Sequence, residues 1–340
     1  MMTSTPVGNG SVCTYPGGML STALPPMLIL EFVLGALGNG IALWVFCFHL
    51  KPWKTSTVFL FNLTLADFLL IIILPFRTSY YLRNKHWVYG DVFCRISLFM
   101  LAMNRGGSIL FLTAVAVDRY FKVVHPHHPI NSMAISRASI AACVLWAFAI
   151  LMTVYLLTES HLIDMENSTQ CDSFTIDLSS VSGSMWHNAL FFLEFIVPLG
   201  IIVYCSLSII WQLKDRQLDK HNKIKKAVRF IGVVVVVFVI CFLPSNVTQL
   251  VIWAKMGQKI KSCDAYESLD RAFYITISLT YLNSMLDPVV YYFSNPTFKR
   301  IYRAVVNNIL RKKKEKKREA DEKTRPTLRE TTDSQTLSHM

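Results

Sequence analysis

AVRFIGVVVVVFVICFLPSNVTQLVIW, residues 227–253, is the stretch whose reading decides the fold. Its one charged residue is Arg229, close to its start. As a helix rising about 1.5 Å per residue, it covers more than the roughly 30 Å of a bilayer's hydrocarbon core. Pro244 lies inside the run and cannot donate a backbone N–H, so the helix should kink there.

Six further apolar runs flank this one, at 26–48, 57–76, 94–120, 138–157, 187–213 and 272–293, with the charged residues gathered between them. Of the 340 residues, 53% are hydrophobic and only 16% charged, which excludes an ordinary soluble protein. The expectation is an all-α bundle of seven transmembrane helices over 26–293, preceded by an outside N-terminus at 1–25. Residues 1–24 contain no Lys or Arg, so no cleaved leader is expected, and the first span serves as the insertion signal. The net charge is +12, but 13 of the 34 Lys and Arg lie from Lys299 onward, pointing to a membrane-facing tail rather than to nucleic acid.

Charge between the runs orients them. Lys51 and Lys54, then Lys122 and Arg137, then seven Lys and Arg from Lys214 to Arg229 follow the first, third and fifth spans. Residues 138–213 carry none, and the loop inside that stretch holds Glu159, Asp164, Glu166, Asp172 and Asp177. The excess of positive charge on one side places the N-terminus outside and the C-terminus inside a plasma membrane. Asn9 and Asn167 then head N-glycosylation triplets on outside segments. Cys13, Cys94, Cys171 and Cys263 fall outside, and Cys47, Cys143, Cys205 and Cys241 within spans. Four outside cysteines allow three pairings. The preferred one joins Cys94 to Cys171, tying the third helix to the long second outside loop, and Cys13 to Cys263.

The spans carry, in order, Gly38-Asn39, Asn62-Leu63 with Ala66-Asp67, Asp118-Arg119-Tyr120, Trp146, Pro198, Cys241-Phe242-Leu243-Pro244 and Asp287-Pro288-Val289-Val290-Tyr291. This series resembles the rhodopsin-like G-protein-coupled receptors. Asp67 sits inside an apolar span, where an ionisable group is expensive and marks a functional site. Ser108, Asn283 and Asp287 are the polar groups expected to face it, and the resemblance implies that this oxygen-rich cluster holds an allosteric sodium ion in the inactive state. The resemblance also implies a switch in which Asp118 holds Arg119 when the receptor is quiet and releases it to a G protein. Tyr120, Phe242, Pro244, Asp287, Pro288 and Tyr291 are the other switch residues, with Pro244 and Pro288 as weak points about which helices swing. Phe242 stands where the family usually has Trp, and Asp287 where it usually has Asn.

Leu101 occupies the place where amine receptors keep an Asp, and no Lys lies between Lys261 and Lys299 to form a retinal Schiff base. Arg105 lies eleven residues after Cys94, about 16 Å down the third helix, so a fixed cation sits well inside the bundle. A buried cation calls for an anion, and the planar guanidinium matches a carboxylate bidentately; internal pairing with Glu194 is the competing explanation. Leu101-Ala102-Met103-Asn104-Arg105, His125-Pro126-His127-His128, Trp186-His187 and Asn283-Ser284-Met285-Leu286-Asp287-Pro288 resemble the hydroxycarboxylic acid receptor family, and the similarity runs from about Pro25 to Phe298. It implies a small monocarboxylate ligand, lactate-like, anchored by Arg105 and closed over by Tyr281, with coupling to an inhibitory G protein. Gln249 stands where small-acid members place a second Arg, and Arg271 is the candidate to compensate. Arg77 is read as steering ligand at the mouth. An oxidised fatty acid, as in the eicosanoid-binding relatives, is the alternative ligand. Scattered His residues show no metal spacing, inverted repeats are not evident, and neither enzyme nor transporter is indicated; no cofactor beyond sodium is expected.

After the seventh span, Phe298, Ile301, Tyr302, Val305, Val306 and Ile309 recur at helical spacing beside Lys299, Arg300 and Arg303, which predicts a short amphipathic eighth helix over 294–310. Residues 311–340 read as a disordered tail. Its basic run from Lys312 to Arg318 suits anionic membrane lipids, and the Thr and Ser residues from Thr324 to Ser338 are candidate phosphorylation sites for arrestin.

Overall fold

The computed structural model describes residues 12–13, 15, 17–165, 168–172, 176–177, 192–215, 221–258, 263–294 and 296–324. Because a hydrocarbon environment offers backbone groups no partner, each apolar run closes its hydrogen bonds within itself as a helix. The helices are α1 (Leu20–Phe48), α2 (Thr55–Leu82), α3 (Gly90–Val124), α4 (Ile135–Thr153), α5 (Val197–Asp215), α6 (His221–Gly257), α7 (Glu267–Ser294) and α8 (Pro296–Thr324). A helical turn, Tyr155–Thr158, follows α4, and a π-turn, Phe192–Ile196, leads into α5. Among the described residues, six helices are long and apolar enough to cross a membrane. α7 is not one of the six: it carries Asp270, Arg271, Asn283 and Asp287, and three of these are buried inside the bundle.

Boundaries shift where turn chemistry is permissive. α1 begins at Leu20, six residues before the expected Pro26, and accommodates both Pro25 and Pro26 near its start. Gly38 sits where an added Cβ would lie 2.6 Å from Pro288 Cγ, so a residue without a side chain lets α1 close onto α7. Asn39 donates to the Ser284 carbonyl at 2.7 Å, and Trp146 Nε1 donates to Asn62 Oδ1 at 2.9 Å, tying α1 to α7 and α4 to α2. Large apolar side chains that point outward, such as Leu37, Val144, Leu207 and Trp211, face where lipid tails belong.

Two short antiparallel pairs decorate one end of the bundle. Strand β1 (Val12–Cys13) pairs with β4 (Ile176–Asp177), and β2 (Leu162–Met165) pairs with β3 (Ser168–Cys171) in a hairpin with Leu162 opposite Cys171. Disulfides join Cys13 to Cys263 and Cys94 to Cys171, with Cα atoms 5.5 and 5.8 Å apart. A cluster around Leu24, Leu28, Leu70, Leu74, Tyr80, Trp87, Leu98 and Tyr281 forms the core at this end.

From Ser294 onward the described residues form a unit of their own. The eighth helix departs from expectation, running to Thr324 rather than ending near Leu310. Beyond Ile309 the apolar stripe stops, but the Lys, Arg, Glu and Ala that follow are strong helix formers, and Arg311 Nε sits 3.6 Å from Glu315 Oε1 one turn on. A run of charge therefore did not mean coil over 311–324. The candidate sites after Thr324, together with Asn9, Asn167, Trp186 and His187, lie outside the described residues.

Candidate functional site

A cavity of about 160 Å³ opens among α2, α3, the end of α4 and the turn after it, the π-turn before α5, α6 and α7, with Asp172, next after β3, on its wall. Leu98, Leu101 and Ala102 of α3 and Phe273 and Ile277 of α7 give it apolar walls, while Arg77, Arg105, Glu194, Asn246, Gln249 and Tyr281 supply polar groups. Arg105 comes from mid-α3, where its Nη2 donates to Asn246 Oδ1 on α6 at 2.9 Å. Its Nε is buried without a hydrogen-bond partner. The expected competitor, Glu194, lines the same cavity but makes no ion pair with Arg105 within 4.0 Å among the described residues. A guanidinium with an unused donor in a cavity of this size can take an oxygen anion.

Arg77 is placed differently from its sequence reading. Its side chain is 5% exposed, it donates through Nη1 to the Cys171 carbonyl at 2.9 Å, and its Nη2 stands 3.8 Å from Asp172 Oδ1. The guanidinium also stacks over the Tyr80 ring, 4.7 Å from its centre. Lys85 meets the other oxygen of Asp172 at 2.9 Å, and Tyr80 Oη donates to Asp172 at 3.2 Å. Burial alone would raise the Asp172 carboxyl, but Lys85 and then Arg77 outweigh it and hold the group below the ordinary carboxylate range. Rather than steering ligand at the mouth, Arg77 is a buried part of the clasp that fastens the hairpin to α2. Arg77 nonetheless lines the cavity, whereas Arg271 misses it: Arg271 pairs with Glu267 one turn away at 3.1 Å and is 39% exposed.

Deeper in the bundle, Asp67 is fully buried. Ser284 Oγ donates to its Oδ1 at 2.7 Å and Tyr291 Oη to its Oδ2 at 3.2 Å, and the Asp287 carboxyl is near enough to interact with it electrostatically. Asn104 bridges from α3 to Ser284 at 3.2 Å, and Asn283 donates to Asp287 at 2.9 Å. Ser108 Oγ, Asn283 Oδ1 and Asp287 Oδ1 are buried without partners. Two buried carboxyl groups that interact call for a shared proton or a cation between them, and the Asn283 amide oxygen also stands unused.

At the opposite end of α3, Asp118 is held by Lys122 Nζ at 2.7 and 2.8 Å, and Lys122 also reaches Ser56 at 3.3 Å. Arg119 stands 3.9 Å from Asp118 through Nε and lies over the Phe230 ring of α6 at 4.9 Å. The expected clamp of Asp118 on Arg119 is thus a long contact, and Lys122 is the main partner. Tyr120 points outward toward Tyr204 of α5, with the hydroxyls 3.4 Å apart. Phe242 is buried against Phe238, ring centres 5.3 Å apart, and lies two residues before Pro244.

Residues 38–291 match the family model of the 7 transmembrane receptor (rhodopsin family). The chain belongs to that family. It is 53% identical over 302 residues to human hydroxycarboxylic acid receptor 3, covering 88% of this chain and 77% of that one. With human hydroxycarboxylic acid receptor 1 the identity is 54% over 296 residues, covering 86% and 83%. Human oxoeicosanoid receptor 1 is more distant, 38% identical over 288 residues, covering 85% and 73%. The receptor is therefore a multi-pass membrane protein of the hydroxycarboxylic acid receptor family, a family of receptors and not of enzymes.

The structure brings Arg77, Arg105, Tyr281 and Gln249 of the receptor to one cavity, and Asp67, Asn283, Asp287 and Tyr291 to one polar network, with Ser108 buried on α3. Ser284, Asn104 and Asn246 escaped the sequence reading. Ser284 and Asn104 lie inside stretches that carry the family resemblance, and Asn246 stands in an apolar run with no family motif of its own. Lys122 was within reach of sequence reasoning, four residues after Asp118.

Proposed function

We propose that the receptor binds a small monocarboxylate, hydroxylated and lactate-like, through Arg105, with its N-terminus outside and its C-terminus inside the plasma membrane. The observation that carries this reading is the buried, unpartnered Nε of Arg105 in a cavity of about 160 Å³. Sites for drug-sized ligands run to roughly 300–1,000 Å³, so a three- or four-carbon acid suits this volume better than a long oxidised fatty acid. Relatives named as hydroxycarboxylic acid receptors share over half of the aligned residues, against 38% for the oxoeicosanoid receptor. Gln249 adds a neutral hydrogen-bonding group where the small-acid pattern has an Arg, and since Arg77 in the same cavity is engaged by Asp172 and the Cys171 carbonyl, Arg105 is the anchor in this reading.

The same reading has the receptor couple to an inhibitory G protein and lower cyclic AMP, with arrestin engaging the tail, the basic α8 run meeting anionic lipids, and glycans on Asn9 and Asn167. Asp67, Asp287, Ser108 and Asn283 would hold a sodium ion, whose positive charge would hold the two carboxylates together. Their oxygen chemistry fits a hard cation, and among the described residues no group of three or more His, Cys, Asp or Glu competes for a metal. The test is a panel of lactate, 3-hydroxybutyrate, nicotinate and an oxidised eicosanoid on cells raised in cyclic AMP by forskolin. Suppression by a small acid and its loss under pertussis toxin are expected. Response to the eicosanoid alone would replace the ligand assignment, and a toxin-insensitive calcium signal alone would overturn the coupling.

A further inference from the structure

We propose that Asn246 is a positioning residue that presents the Arg105 fork to an acid ligand and links the fork to the Pro244 kink of α6. The inference rests on Arg105 being the carboxylate anchor. Asn246 is 1% exposed, two residues after Pro244. Its Oδ1 accepts from Arg105 Nη2 at 2.9 Å and its Nδ2 donates to the Phe242 carbonyl at 2.6 Å. Chemistry fixes this orientation of the amide: a guanidinium can only donate and a carbonyl can only accept, so the reverse placement would break both bonds.

Arginine has five N–H donors in a rigid fork. Asn246 engages Nη2 with a neutral oxygen, which orients the plane of the guanidinium without cancelling its charge. The Nε–H stays unused for the incoming acid. A carboxylate in place of this amide would hold the same donor but neutralise it, in competition with ligand. An apolar side chain would leave the charge intact and the fork free to turn.

The second bond gives Asn246 a further consequence. Pro244 supplies no N–H to the helix ladder, so α6 is already weakened there, and Phe242, whose carbonyl Asn246 holds, lies two residues before the proline. A shift of Arg105 toward a bound carboxylate pulls on the amide, and the amide pulls on the backbone next to the kink. Cavity occupancy and helix bending thereby share one side chain.

The experiment uses the full-length receptor in cells, with surface amount measured for each variant and the most potent acid of the panel above as probe. Arg105→Ala should abolish the response. Asn246→Asp should lower potency by about 30-fold or more, the scale for disturbing a desolvated charge pair, and Asn246→Leu by about tenfold to a hundredfold, as for one lost hydrogen bond to a charged group. In an Arg105→Lys background, which has no planar fork to orient, Asn246→Leu should cost less than about twofold. If Asn246→Asp stays near wild-type potency while Arg105→Ala is silent, the positioning role is wrong and the anchor stands. An equal loss from Asn246→Leu in both backgrounds makes Asn246 merely structural, and this cycle decides the matter should Asn246→Asp not reach the surface. Wild-type potency of Arg105→Ala, or no response to any acid, removes the anchor and this inference together.

Discussion

Lys85 Nζ lies 2.9 Å from Asp172 Oδ2, the two side chains 2% and 4% exposed. Removing one partner of such a pair strands a buried charge, here two of them, because Arg77 shares the same carboxylate. Asp172→Ala should therefore destabilise the receptor by about 3–5 kcal/mol, seen as a lower thermal midpoint in detergent. An unchanged midpoint would mean that the clasp carries no net stability.

The same carboxyl sets a pH response. Because its folded pKa is depressed, its contribution is fully present above the unfolded value of about 4 and is lost as pH falls through the folded one. Thermal midpoints should hardly respond to this group near neutrality and fall in acid below about pH 4. Asp172→Asn should flatten that acid limb, and an identical limb in the variant would assign it elsewhere.

Arg77 and Arg105 should separate in their phenotypes. Arg77→Ala leaves Asp172 and the Cys171 carbonyl short of a donor, so surface amount and thermal midpoint fall. Arg105→Ala should instead reach the surface and lose affinity for an acid by about 30-fold to several thousand-fold, with Arg105→Lys in between. Equal loss of surface amount by both would contradict the division of roles.

Gly38 and Gly40 form a matched pair on α1. A Cβ at Gly38 would run into Pro288, whereas one at Gly40 meets nothing within 4 Å. Gly38→Ala should cost about 1–3 kcal/mol as overpacking, and Gly40→Ala close to nothing. Equal midpoints for the two would show that α1 can move away from α7 freely.

Lys122 keeps Asp118 occupied, with Arg119 at 3.9 Å. Lys122→Ala should release the carboxylate to Arg119 and reduce agonist-driven nucleotide exchange on the G protein. Increased exchange would mean that the lysine, not the aspartate, restrains Arg119.

Much of this architecture is legible in the chain because each apolar run answers to one requirement, a closed hydrogen-bond ladder in hydrocarbon. Spacing also located Arg105 at depth, since helical rise is a fixed quantity. What spacing cannot supply is partnership between distant segments. Arg77 read as a mouth residue because its partners, Cys171 and Asp172, lie more than ninety residues away in a loop. Asn246 gives no signal in the sequence because its value comes from facing Arg105, 141 positions earlier. Arg271 misled in the opposite sense, for its partner Glu267 was a single turn away.

The β2–β3 hairpin is fastened at three adjoining points: Cys171 to Cys94, the Thr169 carbonyl to the Trp87 N–H at 2.7 Å, and Asp172 to Lys85 and Arg77. A strap held so closely does not swing open as a lid, so ligand passes beside it. For the small acid proposed, an upper bound of about 1.5 kcal/mol per heavy atom keeps binding modest and departure quick. Fixed access and short residence together make the receptor a gauge of the acid's present concentration, with little memory of what it met before.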